Sequence, residues 1–264
     1  GRARNLGQRA AEGAQVLFLD ADDTVRPELG DLAEHLSALS FDMVHFAHDV
    51  DHRLASGARG PEETLDREIW AALALSDAPT LLDAGTRRAL SRVSAYPWNK
   101  IWSRAFLERA AVQATEIPVH NDIEPHWTGY LRAGRLMASA LPGVVHSVAP
   151  AGARLSNRRG AERQCVFAAL DAVVDQARRA QAEGSTGRGA VPAFLEFALR
   201  LLDWIDAITD QPSDRLRLAR ARRAWLERVA AALGPQLVAA LSTEPGFAAR
   251  LLAALDENAG GGLG

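Results

Sequence analysis

The sequence predicts an α/β fold followed by a helical region, and three features indicate this arrangement. "VLFLD" at residues 16–20 is a short apolar run ending in a carboxylate, which is typical of a buried parallel strand. "DMVHFAHDV" at residues 42–50 is a second strand candidate. After about residue 160, apolar side chains recur at helical spacing. We therefore expect an α/β domain at residues 1–160, a helical region at 161–258 and a disordered tail at 259–264.

Two predicted helices flank the first strand. "ARNLGQRAAEGAQ" predicts a helix that ends at Gly13, a residue suited to a left-handed cap. Pro27 marks the start of the next helix, because its restricted φ suits the first helical turn. Leucines at helical spacing form the apolar face of that helix: Leu29, Leu32, Leu36 and Leu39.

The middle of the chain alternates between helices and loops. Residues 64–95 are predicted to be mainly helical, and "YPWNKIW" at residues 96–102 interrupts that pattern. Ser103 is the expected N-cap of the following helix. "VHNDIEPHWTGYLRAGRL" combines an acidic loop with a helix, and "PGVVHSVAP" resembles a strand.

The helical region contains three apolar stripes, which begin near Phe194, Leu218 and Phe247. A lone amphipathic helix is marginal in water, so these stripes need partner surfaces. We expect Trp204 and Trp225 to be largely buried against neighbouring helices. "AEGSTGRGA" at residues 182–190 is predicted to be a flexible joint.

Composition excludes several classes of protein. The net charge of −3 and pI near 6.2 give no broad basic surface, so we expect no nucleic-acid partner. One cysteine, Cys165, excludes an internal disulfide framework and favours a cytoplasmic location. No run of 18 apolar residues predicts a transmembrane segment, although peripheral membrane association remains compatible with the sequence.

The acidic loop "DADDT" at residues 20–24 allows three interpretations. As Asp-x-Asp, Asp20 and Asp22 would hold a divalent metal against a diphosphate, since clustered carboxylates need a compensating cation. As a phosphohydrolase loop, Asp20 would be the nucleophile and Asp22 the acid/base. Alternatively, Asp22, Asp23 or Thr24 would cap the next helix.

Three segments resemble the catalytic domain of family 2 glycosyltransferases. They are "ARNLGQRAAEGAQVLFLDADDTVRPELGDL", "WNKIWSRAFLERAAVQ" and "HNDIEPHWTGYLRAGRL", in the order of that family, over residues 3 to about 136. The resemblance implies a GT-A fold, a Rossmann-like mixed sheet with helices. It also implies inverting transfer from a nucleotide-sugar donor to a saccharide or other hydroxyl acceptor, in polysaccharide biosynthesis.

The resemblance implies roles for individual residues. Asp20 and Asp22 match the Asp-x-Asp that holds Mn²⁺ or Mg²⁺, and Asp20 also belongs to the donor site. Asp122 matches the general base, although Asn121 replaces the acidic residue that usually precedes it, so Glu124 is the alternative base. The Gln-x-x-Arg-Trp motif of processive synthases is absent, which favours transfer of one sugar at a time.

Five further residues are candidates for donor or substrate binding: Arg4, Asn5, Trp98, Asn99 and Lys100. Trp98 could stack on a sugar or belong to the core, and Lys100, the single lysine, could approach phosphate or be exposed. Arg4 and Asn5 could equally lie on a helix surface.

The histidines allow two further interpretations. His126 could orient the acidic loop. His45, His48 and His52, together with Asp49 and Asp51, could form a metal cluster or be solvated loop residues.

Family 2 domains begin with strands that grip the nucleotide, and the sequence contains none before residue 3. The resemblance therefore implies a fragment or decayed homologue in which at least two βαβ-sized units are missing. We expect negligible transfer from residues 1–264 alone. Two alternatives to a glycosyltransferase remain: a haloacid dehalogenase-like phosphohydrolase, which usually has Gly where Asp23 stands, and a non-catalytic helical interaction module.

Overall fold

A mixed β-sheet lies at the centre of the first part of the chain. The computed structural model describes residues 1–51, 61–147, 160–244 and 246–256. Within those ranges the strands are β1 (Gln15–Leu17), β2 (Thr24–Val25), β3 (Met43–Asp51), β4 (Thr80–Leu81), β5 (Lys100–Ser103) and β6 (Leu136–Ser147). The strand order is β1-β5-β3-β6-β2, and β4 also pairs with β6. β3 and β6 are parallel, whereas the other paired strands are antiparallel.

Helices surround this sheet and form the second part of the chain. The first part contains α1 (Arg2–Ala10), α2 (Glu28–Ser37), α3 (Pro61–Leu73), α4 (Ala84–Leu90), α5 (Arg104–Arg109) and α6 (Ile123–Arg132). The second part contains α7 (Val166–Ala182), α8 (Val191–Ile208), α9 (Pro212–Thr243) and α10 (Phe247–Asp256). Two 3₁₀ helices, Ala161–Cys165 and Thr186–Ala190, precede α7 and α8. No helix among the described residues is long and apolar enough to cross a membrane.

The prediction of a buried parallel strand at residues 16–20 is wrong. β1 is three residues long and antiparallel to β5, with Val16 opposite Trp102. Val16 is buried, but Leu19 lies beyond the strand and is exposed. The apolar run is therefore shared between a strand and a loop, and it contains no information on pairing direction.

The helix boundaries confirm the predicted helix start at Pro27 and the predicted N-cap at Ser103, but they contradict the two other predicted caps. Pro27 immediately precedes α2, and the Ser103 hydroxyl accepts a hydrogen bond from the Phe106 N–H at the start of α5. Gly13 is not a left-handed cap, because α1 ends at Ala10 and Ala11 is already extended. The proposed acidic cap of α2 is also absent, since Pro27 occupies the cap position without a side-chain hydrogen bond.

One apolar core joins the two parts of the chain. Trp127 on α6 is fully buried, and its ring lies 5.4 Å from the rings of both Phe194 and Phe197 on α8. Trp225 on α9 is fully buried in the same core, as expected, and Phe194 lies 6.5 Å from it. The predicted α/β part (1–160) and the predicted helical part (161–258) therefore pack into one common apolar core.

Residues 182–190 do not form the predicted flexible joint. Ser185 donates a hydrogen bond to the Leu131 carbonyl at 2.8 Å, and Arg87 donates one to the Thr186 hydroxyl at 3.0 Å. A Cβ added at Gly187 would lie 2.3 Å from the Leu131 carbonyl oxygen. The glycine is needed here for close packing against the end of α6, not for chain flexibility.

Candidate active site

A cleft of about 590 Å³ opens between the sheet and the helical region. The loop after β1 contributes Asp20 and Asp22, and α1 contributes Arg4. The loop before α6 contributes residues 118–122, which include Asp122. A volume of this order suits a small-molecule ligand.

Arg4 joins two loops of the cleft. Its guanidinium donates to Asp20 Oδ1 at 2.7 Å and also donates to the Asn121 side-chain oxygen. All three side chains are partly exposed to the cleft. Arg4 therefore positions the Asp20 carboxylate relative to the loop that carries Asp122.

The carboxylates of the acidic loop occupy different environments. Asp20 pairs with Arg4, whereas Asp22 lies at the tip of the turn, where it is exposed and lines the cleft. The side chain of Asp23 is fully buried and accepts hydrogen bonds from His146 Nδ1 at 2.7 Å and from the Ser147 N–H at 3.1 Å. Asp23 thus anchors the loop to the end of β6, while Asp20 and Asp22 line the cleft.

The donor set of Asp20 and Asp22 fits a divalent metal that prefers oxygen ligands. No group of three or more histidine, cysteine or acidic residues suited to a metal occurs in the part of the chain that the structure describes. Asp20 and Asp22 are thus the two carboxylates of this loop that line the cleft, and they would hold such a metal if it binds there.

Asp122 stands at the beginning of α6, facing the cleft. Burial raises the pKa of this carboxyl group, while Arg4 and Lys100 oppose the shift. Two residues earlier, His120 adopts a left-handed conformation with φ of 66°, which is uncommon outside glycine. Non-glycine residues in this region are concentrated at functional sites, and here the conformation shapes the loop that presents Asp122.

Glu124, the alternative base, lies elsewhere. Its side chain is buried and accepts a hydrogen bond from the Thr115 hydroxyl at 2.6 Å. It is not among the residues that line the cleft. The geometry therefore favours Asp122 over Glu124 as the base.

Lys100 is neither exposed nor in the cleft itself. Its ammonium is buried at the start of β5 and donates to the Tyr96 carbonyl at 2.6 Å and to Asn99 Oδ1 at 2.7 Å. Burial lowers its pKa to about 7. Lys100 and Asp122 line the same cavity of about 10 Å³ under the cleft, a volume that suits one water at most.

Trp98, Asn99 and Asn5 are also placed by tertiary contacts. Trp98 lines the cleft but is only 1% exposed, and it stacks with Tyr96 at 4.5 Å and with His146 at 5.0 Å.

The two asparagines of the candidate set are both buried. Asn99 lies beside Lys100, and its amide nitrogen has no hydrogen-bond partner among the described residues. Asn5 is buried, and its amide donates to and accepts from the Ala114 backbone, each at 2.8 Å. Asn5 therefore braces α1 outside the cleft.

Among the described residues, His45 and His48 do not belong to a group that could hold a metal ion. His45 is buried and hydrogen-bonds to the Tyr130 hydroxyl, whereas His48 contacts the edge of Trp98. His52 lies outside the described residues. The His126 ring hydrogen-bonds to the Ser91 carbonyl at 3.0 Å, whereas the His126 backbone N–H donates to the Asp122 carbonyl at 3.2 Å as part of α6. The described hydrogen bond of the ring therefore does not reach the loop that contains Asp122.

The helical region contributes cleft residues that the sequence interpretation missed. Phe197, Leu201 and Trp204 on α8 line the wall, as does Arg163 from the preceding 3₁₀ helix. The expectation that Trp204 is buried is wrong, because 41% of this residue is exposed. Asp203 and Asp206, which flank it in sequence, were a signal that Trp204 lies at the polar edge of the helix.

The first quarter of the chain, which contains the loop at residues 20–24, matches a known protein family. Residues 1–65 match the model for "Glycosyl transferase family 2". We call residues 1–65 the family 2 segment, after the model that they match. The resemblance noted in the sequence is therefore confirmed for the part that contains Arg4, Asp20 and Asp22, while Asp122 lies beyond the family 2 segment.

Solved structures extend the likeness to most of the fold. A crystal structure of S. aureus TarS 1-349 in complex with UDP-GlcNAc aligns with a TM-score of 0.66 at 16% identity, covering 90% of this chain and 63% of that chain. A second crystal structure of S. aureus TarS 1-349 gives 0.62 at 15% identity, with coverages of 90% and 62%. A search of curated proteins finds no significant match. The GT-A-like fold is thereby confirmed, and the chain spans less than two thirds of the TarS chain.

Proposed function

We propose that the protein transfers a single sugar from a nucleotide-sugar donor to an acceptor hydroxyl, with inversion and with Mn²⁺ or Mg²⁺. One observation carries this proposal: Asp20 and Asp22, from the family 2 segment, and Asp122, from the loop before α6, line one cleft. The UDP-GlcNAc complex of TarS supports a nucleotide sugar as the donor class.

The donor side of the proposed site contains Asp20, Asp22 and Arg4. The two aspartates would hold the metal, which supplies charge stabilisation to the departing diphosphate. Arg4 is already paired with Asp20, so it keeps that carboxylate in place when the donor binds. Asp23 holds the loop from beneath through His146 and Ser147.

The acceptor side contains Asp122. Its carboxylate accepts the proton of the acceptor hydroxyl, and the oxygen then bonds to the anomeric carbon as the bond to the diphosphate breaks. A single displacement of this kind inverts the anomeric centre. The small cavity beneath Asp122 and the apolar packing of α6 shield the base from bulk water, which accounts for its raised pKa.

The alternatives receive less support from the geometry. A nucleophilic Asp20 would have to attack phosphate while Arg4 holds one of its oxygens at 2.7 Å. A separate helical interaction module conflicts with the core that α8 and α9 share with α6. We therefore retain sugar transfer as the proposed function, with a cytoplasmic location suited to the one cysteine.

Sugar transfer can be tested with the whole natural protein that contains residues 1–264, together with Mn²⁺ and UDP-GlcNAc, and then with sugar nucleotides of GDP and dTDP. We expect nucleoside diphosphate release in the presence of acceptor saccharides. Asp122→Asn should lower kcat by about 10² or more, because the base is lost, while donor affinity stays within about twofold. Glu124→Gln, a matched acid-to-amide change outside the cleft, should retain most transfer.

Two results would contradict this proposal in different ways. Transfer that survives Asp122→Asn but fails in a folded Glu124→Gln protein would reassign the base. Release of inorganic phosphate from a phosphomonoester, abolished by Asp20→Asn, with no turnover of any sugar nucleotide, would replace sugar transfer with phosphate hydrolysis.

Metal binding can be measured without turnover. Isothermal titration of the full-length protein with Mn²⁺ and UDP should give at least about tenfold weaker Mn²⁺ affinity for Asp22→Asn, since a charged oxygen ligand is lost. Asp31→Asn, an acidic change in the first turn of α2, is the control and should leave affinity unchanged. Equal Mn²⁺ affinity in the Asp22→Asn and wild-type proteins would exclude Asp22 as a ligand.

A further inference from the structure

Trp204 exposes a large aromatic surface inside the cleft. It lies on α8 with Phe197 and Leu201, at spacings of four and three residues that place all three on one helix face. Exposure increases along this face, from buried Phe197 through half-buried Leu201 to Trp204. Core packing explains Phe197, but it does not explain a tryptophan that is 41% exposed at the end of the same face.

The indole ring is held in place from one side. The Arg163 guanidinium lies 4.5 Å from the ring centroid, and Arg163 itself is 2% exposed. The His120 ring meets the indole at 6.4 Å in an edge-on arrangement. Since Arg163 covers one face from the protein interior, the exposed area of Trp204 lies on the rest of the ring, toward the cleft.

The position of Trp204 favours the acceptor over the donor. Its neighbour His120 belongs to the loop that presents Asp122, and the proposed base must meet the acceptor hydroxyl. The donor-side carboxylates come from the loop after β1 instead. Trp98, the tryptophan first considered for sugar stacking, is covered by its own aromatic neighbours.

We propose that the open face of Trp204 stacks on a sugar ring of the acceptor and so brings a hydroxyl of that sugar toward Asp122. The negative face of an indole attracts the positively polarised C–H groups on the apolar face of a sugar ring. Arg163 and His120 preorganise the ring for this contact, which limits the entropy lost on binding. This inference rests on the proposed sugar transfer and names the binding surface for its acceptor.

The experiment compares binding of full-length protein variants to an array of immobilised oligosaccharides and, separately, to UDP-GlcNAc. Trp204→Ala should weaken binding to the saccharides bound by wild type at least about tenfold, a change of about 1.4 kcal/mol. Trp204→Phe should restore part of the affinity, whereas Trp204→Leu, which is apolar but not aromatic, should not. Leu216→Ala, at an exposed apolar position outside the cleft, is the control. Affinity for UDP-GlcNAc should stay unchanged in all four variants.

Each other outcome overturns the proposal. Unchanged saccharide binding in Trp204→Ala, or wild-type protein that binds no saccharide, would remove Trp204 from acceptor recognition. Weaker UDP-GlcNAc binding with intact saccharide binding would assign the indole to the donor. Thermal melting shows whether each variant is folded. If Trp204→Ala is unfolded, saccharide binding is compared between Trp204→Phe and Trp204→Leu, and equal affinities of these two variants would overturn the proposal. A failure of the proposed sugar transfer is detected by a different measurement: the wild-type protein would then release no nucleoside diphosphate from any sugar nucleotide.

Discussion

Lys100 and Asp122 are oppositely charged groups on one small cavity, and burial disfavours the charged form of each. Burial lowers the pKa of Lys100 to about 7 and raises the pKa of Asp122. Each charge also supports the other, because the lysine lowers the pKa of the carboxyl group and the carboxylate raises that of the lysine. The Lys100 charge therefore opposes the effect of burial on the proposed base, although its ammonium donates its hydrogen bonds to Tyr96 and Asn99.

Replacement of Lys100 should change the pH dependence of transfer. In Lys100→Met the cation that lowers the pKa of Asp122 is lost, so that pKa should rise. A base must be deprotonated, and the acidic limb of the kcat/KM profile should consequently move to higher pH. The measurement is kcat/KM for nucleoside diphosphate release between about pH 4 and pH 9.

A matched control separates this local effect from a change in net charge. Arg9→Met removes one exposed positive charge from the last turn of α1, where solvent screens it. Its acidic limb should coincide with that of wild type. A Lys100→Met protein that melts normally and has an unshifted limb would show that the Lys100 charge does not influence the base.

At the scale of elements, an ion-pair cluster fastens the end of α9 to the first part of the chain. The Glu244 carboxylate is fully buried and accepts hydrogen bonds from Arg88 on α4 and from Arg92 just after it. Both arginine side chains remain 30% exposed, so solvent compensates them in part. Loss of these hydrogen bonds would therefore leave the buried Glu244 carboxylate without compensation, whereas water could still hydrate either arginine.

Glu244→Gln should destabilise the fold by about 2 kcal/mol, because charge-assisted hydrogen bonds to a buried carboxylate become weaker neutral ones. Urea unfolding followed by circular dichroism measures this change. Glu227→Gln is the control, since Glu227 pairs with Arg223 on the exposed side of α9 and should change stability by less than about 1 kcal/mol. Equal unfolding midpoints for the two variants would mean that the cluster does not contribute measurably.

For the whole molecule, the site depends on the shared core. Trp127 on α6 packs against Phe194 and Phe197 on α8, and the next two turns of α8 carry Leu201 and Trp204 to the wall of the cleft. The same helix α6 follows directly from Asp122. Packing between these helices therefore sets the distance between the proposed base and the wall of the helical region.

Local sequence patterns predicted a substantial part of this arrangement. The β3 strand, the Ser103 cap and the apolar stripe of α8 follow from periodicity and capping chemistry within a few adjacent residues. The family 2 segment and its acidic loop are likewise contiguous in sequence. Such features can be read without the fold, because the residues that determine them are chain neighbours.

By itself, then, the sequence determined the order of elements, the α/β class and the carboxylates that now line the cleft. Tertiary structure decided what depends on distant residues. Arg4 meets Asn121 across 117 positions, which joins the acidic loop to the loop of the proposed base. Pairing with β5 set the direction of β1, and burial among distant elements lowered the pKa of Lys100. Arg163 contacts one face of Trp204, which lines the cleft. The spacing of apolar residues predicts which face of α8 is apolar. Whether Trp204, at the end of that face, is buried in the core or lines the cleft depends on how α8 packs against the rest of the protein.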